Sequence, residues 1–277
     1  MKKIILCADD YGQNQSISQA IITLLERKRL SATSCMTTAP LWPEHAKWLQ
    51  SFKNQVDIGL HFNLTEGHLL SDALKKSHGF MPLGQMIKRA YCRMLNASAI
   101  EAELHAQLDR FEAAMDQLPD FIDGHQHVHQ LPVIRHVLLN VYEKRLRERG
   151  SYIRCVYDPK IFSRLGHRYF VKKLMIQWLT GAASFKQELI QRKVPHNSSF
   201  AGIYPFAASA HYSTIFPEFL SQMTHQGIIM CHPGLPSQDD SDPIAKARHH
   251  EFLYFESEQF IADCHRVDIV TGQFYNA

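Results

Sequence analysis

Short apolar runs that finish in aspartate or histidine recur along this chain, and stretches of helical period lie between them. The first is Lys3 to Ala8, which meets Asp9, Asp10 and, after Tyr11, Gly12. Later ones are Gln55 to His61, Phe121 to Gly124 running into His125, and Gly227 to His232. Each has the length and branching of a buried strand. Between them, Asn14 to Lys28 places Ile17, Ala20, Ile21, Leu24 and Leu25 at helical spacing, with Ser16 as the expected N-cap. Ala99 to Leu118 repeats the pattern with Ile100, Leu104, Leu108, Phe111 and Met115. Strand and helix alternate without a linker or an internal repeat. That predicts a parallel α/β fold, a barrel or an open doubly wound sheet, in a single domain spanning 1–277. Both architectures carry their functional groups at the carboxyl ends of the strands. Asp9-Asp10, His61, His125 and His232 are therefore expected on one face.

Three stretches fit the alternation less directly. Phe62 to Leu83, with Gly67, Gly79 and Pro82, reads as a long loop, and such loops in compact domains are often functional lids. His125, His127 and His129, at spacing two, are expected on one side of an extended segment. Phe162 to Val194 is basic and mostly helical, and its charges read as a solvated face.

Charge and cysteine usage narrow the partners. A net charge of +3 over 277 residues gives no argument for nucleic acid or an anionic membrane, and no apolar stretch approaches membrane-spanning length. The six cysteines are scattered without a C-x-x-C pair, which favours a reducing compartment. No secretory apolar region follows Met1-Lys2-Lys3. The expectation is a cytoplasmic protein with a small-molecule substrate.

Adjacent carboxylates at a strand end repel, and a divalent cation between them removes the repulsion. An isolated Asp-Asp-x-Gly is more often a solvated turn, and a lone histidine after a strand usually packs or caps. Recurrence at four strand ends is what favours a site here. One carboxylate and two neutral imidazoles form a three-ligand set that leaves metal positions open for water and substrate. A second carboxylate outside the set would take a proton from that water, and a histidine across the site would protonate a leaving amine. Asp9 and His232 fit those roles. The chemistry described is metal-assisted hydrolysis of an amide or ester.

The motifs Ala8-Asp9-Asp10-Tyr11-Gly12, Gly59-Leu60-His61-Phe62-Asn63-Leu64-Thr65, Asp123-Gly124-His125-Gln126-His127-Val128-His129 and His232-Pro233-Gly234 jointly resemble the YdjC/ChbG family of carbohydrate deacetylases. The resemblance follows the family's order over nearly the whole chain. It implies a distorted (β/α) barrel similar to that of the polysaccharide deacetylases. It also implies removal of acetyl groups from N-acetylated sugars, as chitooligosaccharides or N-acetylglucosaminyl conjugates. Carried over by motif, Asp10, His61 and His125 bind the metal, Asp9 is the general base and His232 the general acid, with His127 and Arg154 toward the substrate. The implied metal is magnesium, although two imidazoles suit zinc, cobalt or manganese at least as well. A homodimer is compatible with the resemblance, but no stretch marks an interface. Gln126 stands where chitooligosaccharide enzymes tend to carry another histidine, and Tyr11 replaces a frequent phenylalanine. Two other readings compete: a sugar-binding or regulatory protein that keeps the metal without turnover, and a metal-dependent hydrolase of another bond. A phosphoester hydrolase usually needs more carboxylates or a second metal.

Overall fold

The structure, a computed structural model, describes residues 1–77, 79–158, 169–207, 211–237 and 242–275. Among them, the strands are β1 (Lys2–Tyr11), β2 (Ala32–Cys35), β3 (Asp57–Phe62), β4 (Phe121–Gly124), β5 (Tyr152–Ile153), β6 (Phe200–Ala201), β7 (Ile228–Cys231) and β8 (Ile269–Thr271). The helices are α1 (Gln15–Glu26), α2 (Trp42–Leu49), α3 (Asp72–Ser77), α4 (Leu83–Tyr91), α5 (Ala97–Met115), α6 (Ile134–Val141), α7 (Phe170–Thr180), α8 (Ala182–Gln191), α9 (Tyr212–Ser221), α10 (Ala245–Glu256) and α11 (Glu258–Arg266). All strand pairs are parallel, in the order β5-β4-β3-β2-β1-β7-β6, with β8 beside β1. The sheet curls until its edges meet at a single bridge, Ile153 to His196. The buried Asn197 side chain reinforces this closure, accepting from Cys155 N at 2.7 Å and donating to Cys155 O at 2.8 Å. This is a distorted barrel.

Strands covered on both faces read as continuous apolar runs rather than alternating ones, and β1 is buried from Ile4 onward. The period of two still sorts its side chains. Ile4, Leu6 and Ala8 pack outward against helices, whereas Ile5 and Cys7 point inward with Phe121, Tyr152, Phe200, Ile228 and Met230. Asp9, Asp123, Arg154 and His232 follow these inward residues at even spacing, so the apolar interior passes directly into a charged layer at the strand carboxyl ends. At the opposite end Phe274 stacks on Tyr152, with ring centroids 4.2 Å apart.

Two local expectations are corrected. Asn14, not Ser16, caps α1: its Oδ1 accepts from Ile17 N at 2.9 Å, and the Ser16 hydroxyl turns back onto the same oxygen. The stretch Phe62 to Leu83 is not a free loop, because it contains α3 and reaches the start of α4. Two buried polar residues of α5 hold it down. Gln107 bonds both backbone groups of Asn63, and Glu103 accepts from Leu70 N and Ser71 N.

Candidate metal centre and active site

Two adjacent residues of a regular strand point to opposite faces, so Asp9 and Asp10 would not share a site. Asp10 adopts φ 68°, in the left-handed region that aspartate tolerates, and the β1–β2 register shifts between Ala8 and Tyr11. The irregularity turns both carboxylates into one cavity of 320 Å³. At its floor Asp10 Oδ1 lies 3.1 Å from His125 Nδ1 and 3.4 Å from His61 Nε2, and the two nitrogens are 3.4 Å apart. Ligand atoms bound to one ion at about 2.0–2.2 Å stand roughly 3.0–3.4 Å from each other. The trio fits a divalent cation.

The surroundings orient these donors as a metal site requires. Asp123 Oδ1 sits 2.6 Å from His61 Nδ1, which fixes the ring so that Nε2 points toward Asp10. Ser34 donates to the same Asp123 oxygen at 2.5 Å. Glu66 Oε1 faces His125 Nε2 at 3.2 Å. Burial alone would discharge His61, but Asp123 and Asp10 outweigh it and lift its pKa to about 10. Burial likewise opposes ionisation of Asp10, yet Arg248, His125 and His61 hold it well below the usual carboxylate range. The donor set attracts positive charge.

Asp9 lies outside the trio. Arg154 donates to both its oxygens, at 2.7 and 2.6 Å, while approaching Asp123 Oδ2 at 2.7 Å and Cys7 Sγ at 3.0 Å. Cys7, Asp9 and Asp123 also have metal-compatible spacing, but the guanidinium already supplies the cation among them. Arg154, expected toward the substrate, is fully buried behind Asp9, and the residues lining the cavity do not include it. His232 stands across the floor, its Nε2 3.8 Å from Asp9 Oδ2. Burial pushes the His232 imidazole down to about 4.

The three histidines at spacing two do not share a side. Gln126 and His127 take positive φ, 53° and 62°, and kink the short 3-10 segment His125–Gln130. His125 joins the trio and His127 reaches the cavity wall, whereas His129 turns beneath the site, its Nε2 2.9 Å from Arg154 O. Gly124 is required there, since a Cβ would lie 2.8 Å from the His129 ring. The basic stretch is also more than a solvated face. Residues 162–168 of it lie outside those described, and beyond them α7 forms one wall of the cavity through Lys172, Ile176 and Leu179.

Several functional neighbours carried no signal of their own in the sequence. Arg248 of α10 donates to Asp10 Oδ2 and Asp242 Oδ2, each at 2.7 Å. Glu251, one turn later, accepts from the His232 backbone N–H and from the Tyr204 hydroxyl. Burial raises Glu251 to about 7. Only Asp123 was within reach, two residues before His125 in a quoted motif.

A family model described as YdjC-like protein matches residues 3–266. This chain belongs to the YdjC-like family. Among curated relatives, a carbohydrate deacetylase of Danio rerio is 34% identical over 167 residues, covering 57% of this chain and 50% of its own length. A chitooligosaccharide deacetylase of Yersinia pestis (strain Pestoides F) is 32% identical over 134 residues, covering 48% of this chain and 53% of its own. The YdjC-like chain thus spans about half the length of the curated relatives it matches. Its fold resembles a solved Enterococcus faecalis V583 protein described as a cellobiose-phosphate cleavage protein, with TM-score 0.73 at 19% identity, covering 99% of this chain and 97% of that one. It also resembles the Bc1960 peptidoglycan N-acetylglucosamine deacetylase, with TM-score 0.51 at 11% identity over 97% of this chain and 85% of that one. These likenesses show a shared fold, a curled parallel sheet surrounded by helices. Among the described residues no helix is long and apolar enough to cross a membrane.

Proposed function

We propose that this YdjC-like chain is a metal-dependent deacetylase that hydrolyses the N-acetyl group of an N-acetylated sugar and releases acetate. The observation that carries this reading is the division of labour between neighbouring carboxylates: Asp10 joins His61 and His125 at 3.1–3.4 Å, while Asp9 is held apart by Arg154. The names of the curated relatives point to the same chemistry. A bound divalent ion, magnesium, zinc, cobalt or manganese, would polarise the acetyl carbonyl and acidify a water.

The chain's own groups do the rest. Asp9 takes the proton from the attacking water, whose oxygen joins the acyl carbon. His232 gives a proton to the nitrogen as the carbon–nitrogen bond breaks, leaving acetate and a free amine. The buried His232 rests neutral, so the proton it donates must first be acquired. Asp9, 3.8 Å away and newly protonated, is its nearest source. Arg154 acts as a positioning residue, fixing the orientation of Asp9, and His127 lies against the substrate.

The test is acetate release from N-acetylglucosamine mono-, oligo- and conjugate compounds, with and without chelator. Chelator-sensitive release from any of them supports the reading. No release from any compound, with metal confirmed bound, overturns it in favour of a sugar-binding protein, and phosphate release would point to a different hydrolase.

A further inference from the structure

His232 is held differently from the other histidines of the site. Its Nδ1 is buried and, among the described residues, has no hydrogen-bond partner, so no carboxylate aims the ring as Asp123 aims His61. The Phe206 ring stands perpendicular to it, with centroids 5.1 Å apart. Otherwise the imidazole is placed by its own backbone. That backbone lies just past the sheet, since the β1–β7 ladder ends at Ala8 and Cys231 and the β6–β7 ladder at Ala201 and Ile229. A main-chain N–H beyond the ladder needs another acceptor. Glu251 supplies it.

Glu251 is 0% exposed and lines no part of the cavity. One of its oxygens accepts from His232 N and the other from the Tyr204 hydroxyl at 2.5 Å, so both are engaged. The helix that carries it is fixed as well. Phe255 of α10 packs against Phe216 and Phe260, with ring centroids 5.2 and 5.3 Å apart. One turn before Glu251, on the same face, Arg248 holds Asp10 Oδ2 at 2.7 Å, and its carbonyl accepts from Gly234 N at 3.1 Å. A Cβ at Gly234 would lie 3.0 Å from the Arg248 side chain, so the turn after His232 is seated directly on α10. A single helix ties the end of β7, which carries His232, to the end of β1, which carries Asp10.

We infer that Glu251 is the positioning residue of the general acid: by holding the His232 main chain against α10, it sets the reach of His232 Nε2 toward the departing nitrogen. The inference rests on the deacetylase reading and on the role of His232 within it. Glu251 touches no substrate and acts only through His232.

The experiment compares Glu251→Leu, which cannot accept the N–H, with Glu251→Gln, which can, on whichever N-acetylglucosamine compound the wild-type protein deacetylates. Metal-loaded Glu251→Leu should lose about tenfold or more in kcat, with KM and calorimetric metal affinity within about twofold of wild type, and Glu251→Gln should recover most of that loss. In a His232→Ala background, Glu251→Leu should cost less than about twofold, because the group it acts through is gone. A second readout needs no turnover. The His232 ring resonances of zinc-loaded protein carrying isotope-labelled histidine, assigned by their loss in His232→Ala, should shift in Glu251→Leu and return toward wild type in Glu251→Gln. If Glu251→Leu does not fold, as judged by thermal melting, Glu251→Asp, one methylene too short to reach, makes the same comparisons. Wild-type kcat in Glu251→Leu, an equal loss with and without His232, or a fall in metal affinity that accounts for the loss overturns the inference. No acetate from the wild-type protein on any compound removes the deacetylase reading instead; the resonances then decide the contact alone, a shift supporting the hold on His232 and unmoved signals overturning it.

Discussion

Asp9 and Asp10 are chemically identical and adjacent, yet their surroundings differ. Asp10 shares one oxygen with two imidazoles and gives the other to Arg248, whereas both oxygens of Asp9 face Arg154. Asp10→Ala and His61→Ala should therefore lose the metal in a calorimetric titration. Asp9→Asn should keep it while turnover falls by about 100-fold or more; wild-type turnover in that variant would remove the assigned base. Among the described residues Arg154 is the single guanidinium between Asp9 and Asp123, all three buried. Removing one partner of a buried ion cluster leaves uncompensated charge. Arg154→Met should lower the unfolding free energy in urea by about 3–5 kcal/mol.

At the scale of elements, the site depends on departures from regular structure. The left-handed Asp10 breaks β1 where it must present two carboxylates together, and the turn after β4 separates histidines that a continuing strand would have aligned. The strands beneath are packed tightly enough to hold such irregularities in place. Gly59 of β3 faces Phe121 of β4, and a Cβ there would meet the phenyl ring at 2.4 Å. Gly59→Ala should accordingly destabilise the protein by about 1–3 kcal/mol by forcing the ring aside. Since His61 is two residues further along the same face, the variant should also weaken metal affinity. Unchanged melting and unchanged affinity would show that Phe121 has room to move.

At the scale of the whole molecule, the barrel is layered along its axis, from the candidate metal centre through the Arg154 layer and an apolar layer to a polar plug. Asp57 forms that plug, accepting from Phe274 N at 2.8 Å and the Tyr152 hydroxyl at 3.0 Å, with Gln273 at 3.3 Å. Burial raises its pKa to about 6 despite these bonds. An acid whose folded pKa lies above its unfolded value of about 3.9 contributes stability at low pH and loses it as the pH rises. Wild-type stability should therefore fall relative to Asp57→Asn between about pH 4 and pH 6, by no more than about 3 kcal/mol. Urea melts of both proteins at several pH values measure this directly, and parallel curves would exclude a strained Asp57. The plug sits at the opposite end from the metal centre, so activity at fixed pH should be unaffected by the same substitution.

Much of this architecture is local in origin. The alternation of buried apolar runs with helical periods, and the Asp or His at the end of each run, depend on residues a few positions apart. The sequence alone therefore determined the parallel α/β fold and the family, and it named the candidate metal ligands. What depends on residues far apart in the chain was decided only by tertiary structure. Arg248 meets Asp10 across 238 positions and Arg154 meets Asp9 across 145; no periodicity records such encounters. The bulge at Asp10, the folding-back of His129 and the conversion of α7 from an expected solvated face into a cavity wall have the same cause. Closure of the sheet brings distant strands and helices together, and their packing, not local propensity, then chooses among conformations that the chain alone leaves nearly equal in energy.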